Sequence, residues 1–297
     1  MNGRPLPPSR DLRLVHVDAR ERQSIVSLRA GGPSFGGEEL AICAGPCAVE
    51  SREQIVATAA AVARAGANVL RGGAYKPRTS PYSFQGLGRD GLAMMREAAD
   101  LFGLAVVTEV LDPRDAEVVA GSADMLQIGA RNMQNTALLR AVGETGKPVL
   151  LKRGLAATVD EWLLAAEYIA LTGNERIVLC ERGIRSFDPS TRNLLDLSVV
   201  PLLARRTHLP TIVDPSHGTG IAALVAPMGL AAIAAGAAGI MVEVHPDPPS
   251  AVSDGMQSLT FAEFESFMES IPALATALGR RLPQRYVART PNASPPS

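Results

Sequence analysis

Eight times between residues 40 and 245, a short β-branched or apolar run ends in polar or charged residues and gives way to a helical pattern. The runs are 40–47, 68–75, 105–110, 124–130, 148–154, 176–183, 210–217 and 239–245. Apolar strands alternating with helical stretches of this length make βαβ units and a parallel sheet. Eight such units in roughly 250 residues is the size of a closed (β/α)8 TIM barrel, an α/β fold. The expected organisation is an N-terminal arm over 1–38, a barrel over 39–282 and a Pro-rich disordered tail over 283–297. Within the arm, 24–28 and 39–42 flank a Gly-rich turn and are expected to pair as a hairpin closing the barrel floor.

Barrels of this kind assemble their chemistry from loops at the C-terminal ends of the strands. Cys47, Arg71, Glu109, Arg131, Lys152, Arg182, His217 and Glu243 all fall at or near those ends. Any one of them could be a solvated strand end, but eight together point to a site.

Composition excludes several classes. A formal net charge of −1 gives no basic excess for nucleic acid. Three cysteines without regular spacing, and no signal-peptide pattern, argue for a reducing cytoplasm rather than a disulfide scaffold. Residues 221–242 carry no charge and are long enough to cross a membrane on count alone. The run is rich in Ala and Gly and is broken at Pro227 and at 236–239, so a helix packed on a buried strand explains it better.

Local signals agree with that frame. Ser51 with Gln54, and Thr158 with Glu161, have the spacing of capping boxes, while Gly66, Gly103, Gly146 and Gly173 stop helices. Trp162 lies inside a helical pattern and reads as packing.

Cys47, His217, Glu243 and Asp254 follow strands one, seven and eight, and strands one and eight become neighbours when a barrel closes. Their S, N and O donors suit a divalent transition metal better than Mg2+ or Ca2+. The opposing consideration is that buried cysteines are usually inert, the class to which Cys43 and Cys180 belong, and that a lone histidine is more often structural. Beside them cluster Arg71, Lys76, Arg78, Arg131, Lys152, Arg153, Arg182 and Arg185, a set suited to phosphate and carboxylate groups. Structural ion pairs explain Arg153 and Arg185 about as well.

Six motifs in order then carry a resemblance. They are Ala44-Gly-Pro-Cys-Ala-Val-Glu-Ser51, Arg71-Gly-Gly-Ala-Tyr-Lys-Pro-Arg-Thr-Ser80, Gln127-Ile-Gly-Ala-Arg-Asn132, Leu151-Lys-Arg-Gly154, Glu181-Arg-Gly-Ile-Arg185 and Asp214-Pro-Ser-His-Gly218. Over about residues 39–280 the chain resembles the 3-deoxy-D-arabino-heptulosonate 7-phosphate (DAHP) synthases of the compact type I-beta kind.

That resemblance implies a transferase joining phosphoenolpyruvate to erythrose 4-phosphate, with loss of phosphate, at the entry to the shikimate route. It implies Cys47, His217, Glu243 and Asp254 as ligands of one divalent metal ion (Mn, Fe, Co or Zn). It places Arg131, Arg182 and the Ala130 amide on the phosphoenolpyruvate phosphate, and Arg71, Lys76 and Lys152 near its carboxylate. Arg78 and Thr79 fall to the phosphate of the sugar, and Glu109 to proton handling beside the reacting centre. Lys76, Glu109, Lys152 and His217 are the implied catalytic residues, and Asp214 either orients the site or merely forms a turn before Pro215.

The sister condensation with arabinose 5-phosphate, giving 3-deoxy-D-manno-octulosonate 8-phosphate, is the closest alternative. Its members typically carry Lys-Ala-Asn-Arg-Ser-Ser where this chain has Pro77 and Arg78. A sialic-acid-type synthase matches the motifs poorly, and a barrel that had lost the reaction would be expected to lack a ligand or a clamp residue. The implied partners are the two small substrates and further copies of the chain as a homodimer or homotetramer, with neither nucleic acid nor membrane. Because only about 38 residues precede strand one, no separate effector-sensing domain and no strong direct inhibition by aromatic amino acids are expected.

Overall fold

The computed structural model describes residues 12–77 and 80–283. The first 11 residues of the expected arm and nearly all of the expected tail lie outside the described residues, as do Arg78 and Thr79. An antiparallel hairpin, β1 (Val26–Ser27) with β2 (Ser34–Phe35), precedes eight parallel strands. These are β3 (Ala41–Gly45), β4 (Val69–Arg71), β5 (Ala105–Glu109), β6 (Met125–Ile128), β7 (Val149–Lys152), β8 (Ile177–Glu181), β9 (Thr211–Val213) and β10 (Gly239–Glu243). They pair in sequence order, and β10 returns to β3 in a register that sets Glu243 opposite Gly45, so the sheet closes into a barrel. All eight expected runs contain a strand. Each strand is shorter than its run, because the polar residues at the run ends belong to loops.

Helices follow the strands: α1 (Arg52–Ala65), α2 (Gly88–Leu101), α3 (Ala116–Ser122), α4 (Thr136–Glu144), α5 (Val159–Ala170), α6 (Val199–Leu203), α7 (Pro215–Thr219), α8 (Ala222–Ala234) and α9 (Phe261–Ala277). Pro227 does not break α8 but sits inside it, and the chain turns at Gly236 before entering β10. No described helix is long and apolar enough to cross a membrane. The Thr158–Glu161 capping box forms in full. The Ser51 box forms only by half: Ser51 Oγ accepts from the Gln54 amide, but the Gln54 side chain turns to the Glu50 amide and the Ala48 carbonyl.

Alternation along the strands separates two cores. Ile42, Leu70, Val106, Leu126, Leu151, Leu179 and Ile240 face the helices. Ala41, Cys43, Val69, Val107, Met125, Leu150, Val178, Cys180, Ile212 and Met241 fill the barrel interior, joined from below by Val26, Leu28 and Phe35 of the hairpin. The hairpin does close the floor. Its second strand, however, is 34–35 and not 39–42, because the chain reverses tightly at Arg29–Gly32 and 39–42 is needed to lead into β3. Gly36, at φ 95°, permits this route, since a Cβ there would lie 2.3 Å from the Ser24 carbonyl oxygen.

The described residues before the hairpin, from Leu12 on, are docked on the barrel. One carboxylate oxygen of buried Glu167 on α5 accepts from the backbone amides of Arg13, Leu14 and Val15 at 2.6, 2.8 and 3.0 Å.

Candidate active site

Period-two alternation dictates what stands above the apolar interior. Continuing from Val69, Val107, Met125, Leu150, Ile212 and Met241, the next inward positions are Arg71, Glu109, Gln127, Lys152, Asp214 and Glu243. The C-terminal layer of the barrel interior is therefore polar and charged. Such groups, taken out of water, need partners, and they find them across strands.

Asp214 carries the densest set of these contacts. One carboxylate oxygen accepts from the His217 amide at 3.0 Å and caps α7, while the other lies 2.5 Å from Lys152 Nζ and 2.7 Å from His217 Nδ1. Burial alone would raise the Asp214 pKa, but His217 and Lys152 hold it well below the usual carboxylate range. Burial depresses the pKa of His217 against the pull of Asp214 and Glu243, favouring the neutral ring. With Nδ1–H given to Asp214, Nε2 turns a lone pair toward Glu243 Oε1, 3.4 Å away. His217 itself lies in α7 rather than at a strand end, since β9 stops at Val213.

Glu243 is fully buried, and its Oε1 also accepts from Arg71 Nη1 at 2.9 Å. Cys47, Glu243 and Asp254 bring one ligand atom each within 4.8 Å of one another. Asp254 alone among the described non-glycine residues has a positive φ, 53°, a strained backbone that turns its carboxylate toward Cys47 Sγ at 3.3 Å. Lys76 Nζ and Ser253 Oγ approach the same sulfur at 2.9 and 3.1 Å. Burial, with Glu243 nearby, pushes the Cys47 thiol up to about 12, whereas His217 and Arg192 overcome burial to hold Asp254 at about 2. The donor set fits a divalent transition ion. Two ionised carboxylates and a thiol that yields its proton to a cation are groups such ions take, and the expected fourth ligand, His217, lies outside that 4.8 Å group, with its Nε2 3.4 Å from Glu243 Oε1.

Next to this cluster lies a cavity of about 490 Å³ lined by Arg71, Lys76, Glu109, Ala130, Arg131, Lys152, Arg182, His217 and Asp254, all expected site residues. Cys47 and Glu243 stand behind the wall, bonded to Lys76 and Arg71. Among the described residues, no carboxylate lies within ion-pair distance of the Arg131, Arg182 or Arg185 guanidinium groups, although all three line the cavity. Arg182 is buried, its guanidinium donates among the described residues only to the Gly183 and His217 carbonyls, and it is pushed down in pKa by that burial. It lines the cavity without a paired carboxylate among the described residues.

Arg153 does otherwise. It pairs with Glu181 at 3.0 Å and Asp196 at 3.1 Å outside the cavity, as a structural cation. Burial raises the Glu109 pKa despite Lys76, Lys152, Arg71 and Arg131 around it. Glu109 packs so tightly on Gly129 that a Cβ there would meet its Oε1 at 1.9 Å, so a side chain at this position would push the carboxylate aside.

Reasoning from sequence missed Gln127, Arg192, Ser253 and Gln257. Gln127 was available from its two-residue offset to Met125. Arg192 and Ser253 sit on irregular loops and Gln257 in a single helical turn, where no periodicity marks an inward side.

In comparison with known proteins, residues 23–279 match the family described as the DAHP synthetase I family. A phospho-2-dehydro-3-deoxyheptonate aldolase of Thermotoga maritima is 53% identical over 267 residues, covering 90% of this chain and 78% of that protein. A 2-dehydro-3-deoxyphosphooctonate aldolase of Rhodopseudomonas palustris is 34% identical over 272 residues, covering 85% and 94%. The crystal structure of Thermotoga maritima DAHP synthase superposes with a TM-score of 0.88 at 52% identity, covering 91% of this chain and 79% of that one. A truncated form of the 3-deoxy-D-arabino-heptulosonate 7-phosphate synthase of the same organism gives 0.84 at 49%, covering 90% and 98%.

Proposed function

The chain belongs to the DAHP synthetase I family, and on that premise we propose how its rim cavity divides the work of the reaction. That reaction is the aldol-like condensation of phosphoenolpyruvate with D-erythrose 4-phosphate and water, giving DAHP and phosphate, the first step of the shikimate route. The observation that carries the assignment to this cavity is that Arg131, Arg182 and Arg185, none paired with a carboxylate among the described residues, line a space that Asp254 of the Cys47, Glu243 and Asp254 cluster also lines.

Arg131 and Arg182, with the Ala130 amide, hold the phosphate of phosphoenolpyruvate, and Arg71, Lys76 and Lys152 neutralise its carboxylate. Arg78 and Thr79 take the phosphate of the sugar. Cys47, His217, Glu243 and Asp254 hold one Mn, Fe, Co or Zn ion, which when bound supplies a Lewis acid to the aldehyde oxygen. Holding both substrates fixes carbon 3 of phosphoenolpyruvate against the aldehyde carbon, so that the new carbon–carbon bond forms without a diffusive search. The aldehyde oxygen gains a proton and becomes a hydroxyl. Water adds at carbon 2 and gives up one proton, which balances the one taken by the aldehyde oxygen, and the bond from carbon 2 to the phosphate oxygen then breaks as the remaining hydroxyl proton passes to the leaving phosphate and the ketone forms. Glu109, whose raised pKa suits it to exchange protons, serves the water at carbon 2. His217 Nδ1, Asp214 and Lys152 Nζ form one hydrogen-bonded line that holds a further proton at the carboxylate end of the site.

The protein is proposed to work as a homodimer or homotetramer in the cytoplasm, a setting consistent with its three free, buried cysteines. Light scattering checks the assembly. Phosphate release from phosphoenolpyruvate, measured with erythrose 4-phosphate and with arabinose 5-phosphate, tests the substrate reading. Release only with the five-carbon sugar would move the chain to the sister reaction, which the 34% identical relative represents.

A further inference from the structure

Beyond the ligands themselves, we infer that Gln257 is a positioning residue whose amide fixes Glu243 for the metal and ties that carboxylate to Arg192 on the cavity wall. The inference rests on the metal reading above and concerns a residue outside the ligand set.

Gln257 ends the single helical turn Gly255–Gln257 that follows strained Asp254, and it is buried. Its Nε2 donates to Glu243 Oε2, while its Oε1 accepts from Arg192 Nη1 at 2.7 Å. The amide can be read in one orientation only. Flipped, it would set an oxygen against a buried carboxylate and an NH2 group against a guanidinium, two repulsive contacts in place of two bonds.

Glu243 needs such a partner. An ionised carboxylate has about four lone-pair directions, and Arg71 and His217 crowd only its Oε1 side. Without a donor on Oε2, rotation about the last side-chain bond is free to turn the carboxylate out of the orientation that sets one of its oxygens within 4.8 Å of the Cys47 and Asp254 ligand atoms. A carboxylate in that place would add a third negative charge beside Glu243 and Asp254, and an apolar side chain would leave Oε2 unanchored. Glutamine supplies a donor without a charge.

The other end of the amide reaches the substrate side. Arg192 Nη1 lies 3.3 Å from Asp254 Oδ1, and Arg192 lines the cavity with its side chain exposed. Its loop is latched onto α7 by the Arg192 amide to the Thr219 carbonyl, the Asn193 amide to the Gly218 carbonyl and Asn193 Nδ2 to the His217 carbonyl. One guanidinium thus senses the cavity, touches Asp254 and orients the amide that orients Glu243. Arrangements of this kind around a bound ion are worth about 10- to 100-fold in metal affinity.

Co2+ titration of metal-stripped protein, followed by the thiolate-to-cobalt absorption of Cys47, reads this directly and needs no turnover. Gln257→Met, close in volume but without donor or acceptor, is expected to weaken Co2+ binding about 10- to 100-fold while melting close to the unaltered protein. If that variant unfolds, Gln257→Asn reads the same quantity, because it keeps a polar amide in the loop yet is one methylene too short to span both partners. A double-mutant cycle with Arg192→Met is expected to be non-additive, the pair losing less than the sum of the single changes. Failure of the unaltered protein to bind Co2+ through Cys47 would sink the metal reading itself. Normal Co2+ binding by the unaltered protein and equally tight binding by folded Gln257→Met would overturn the role of Gln257 alone, as would strict additivity with Arg192→Met.

Discussion

Asp214 offers a clean separation between a turn-forming residue and an electrostatic one, because its two carboxylate oxygens do different work. One accepts from the His217 amide as the N-cap of α7, a task asparagine performs about as well as aspartate. The other holds the Lys152 ammonium at 2.5 Å and His217 Nδ1 at 2.7 Å, with Asp214 fully buried and Lys152 nearly so. Asp214→Asn therefore keeps the cap and shape but strips the charge. It leaves a buried ammonium without its counter-ion, a loss of about 3 to 5 kcal/mol. At the low end of the usual conversion for large domains, about 2 °C per kcal/mol, the melting temperature of the metal-free protein falls by about 6 to 10 °C. The amide can also turn its NH2 toward His217, which no longer fixes the lone pair on Nε2, so metal affinity falls by a further 10- to 100-fold or so. Calorimetry of the metal-free protein and Co2+ titration measure the two effects separately. A variant that melts within about 2 °C of the unaltered protein and binds metal equally well would show that Asp214 is only a turn former before Pro215.

Three further outcomes are expected. Chelation, or Cys47→Ala, abolishes turnover while circular dichroism and melting show the barrel intact, since the thiol stands above the apolar interior; retained activity, or outright unfolding of the variant, refutes the assignment. Arg78→Ala raises the KM for erythrose 4-phosphate by about 10- to 150-fold, the worth of a charge-assisted hydrogen bond, with the KM for phosphoenolpyruvate unchanged; equal weakening of both substrates would place Arg78 in the shared clamp. Glu109 has a raised folded pKa, so its ionisation opposes folding: its contribution is favourable below the unfolded value near 4.5 and is lost as pH rises through the folded value. Glu109→Gln is accordingly expected to raise the melting temperature more at pH 8 than at pH 4, while lowering kcat by about 10²- to 10⁴-fold; a variant less stable at pH 8 would show the carboxylate to be structural.

Much of this was legible in the residues, and what escaped did so for definable reasons. A strand interior is written in period two, so the eight runs were readable, and so were the inward charges at their ends. The same logic predicts Gln127, which follows Met125 by two. It fails for Arg192 and Gln257, because a loop has no repeat to say which residue points inward, and the Arg192 contacts join positions 62 and 65 residues apart. The hairpin strand was misplaced for a related reason: two-residue strands in a Gly-rich stretch carry too short a pattern to fix their register. Arg153 and Arg185 looked alike in the sequence, and only the third dimension gives one of them Glu181 and Asp196 and leaves the other on the cavity wall.

The layering of the barrel interior explains how one fold carries so much buried charge. The lower layers, plugged by Val26, Leu28 and Phe35, are apolar and make the barrel rigid without asking for polar partners. Only the top layer holds Arg71, Lys152, Asp214 and Glu243, and there each charge from one strand meets an opposite charge from a distant one: β4 with β10, and β7 with the loop after β9. Such pairs roughly balance their own desolvation, so they add little stability, but breaking either one is costly. The fold thereby fixes the geometry of the groups it pairs and leaves Arg131, Arg182 and Arg185 with charge to spare. On the proposed reading, a dianionic phosphate entering the cavity meets the buried Arg182 guanidinium already held by the Gly183 and His217 carbonyls. Little reorganisation is then required when it binds, which is the condition under which electrostatic preorganisation accelerates a reaction.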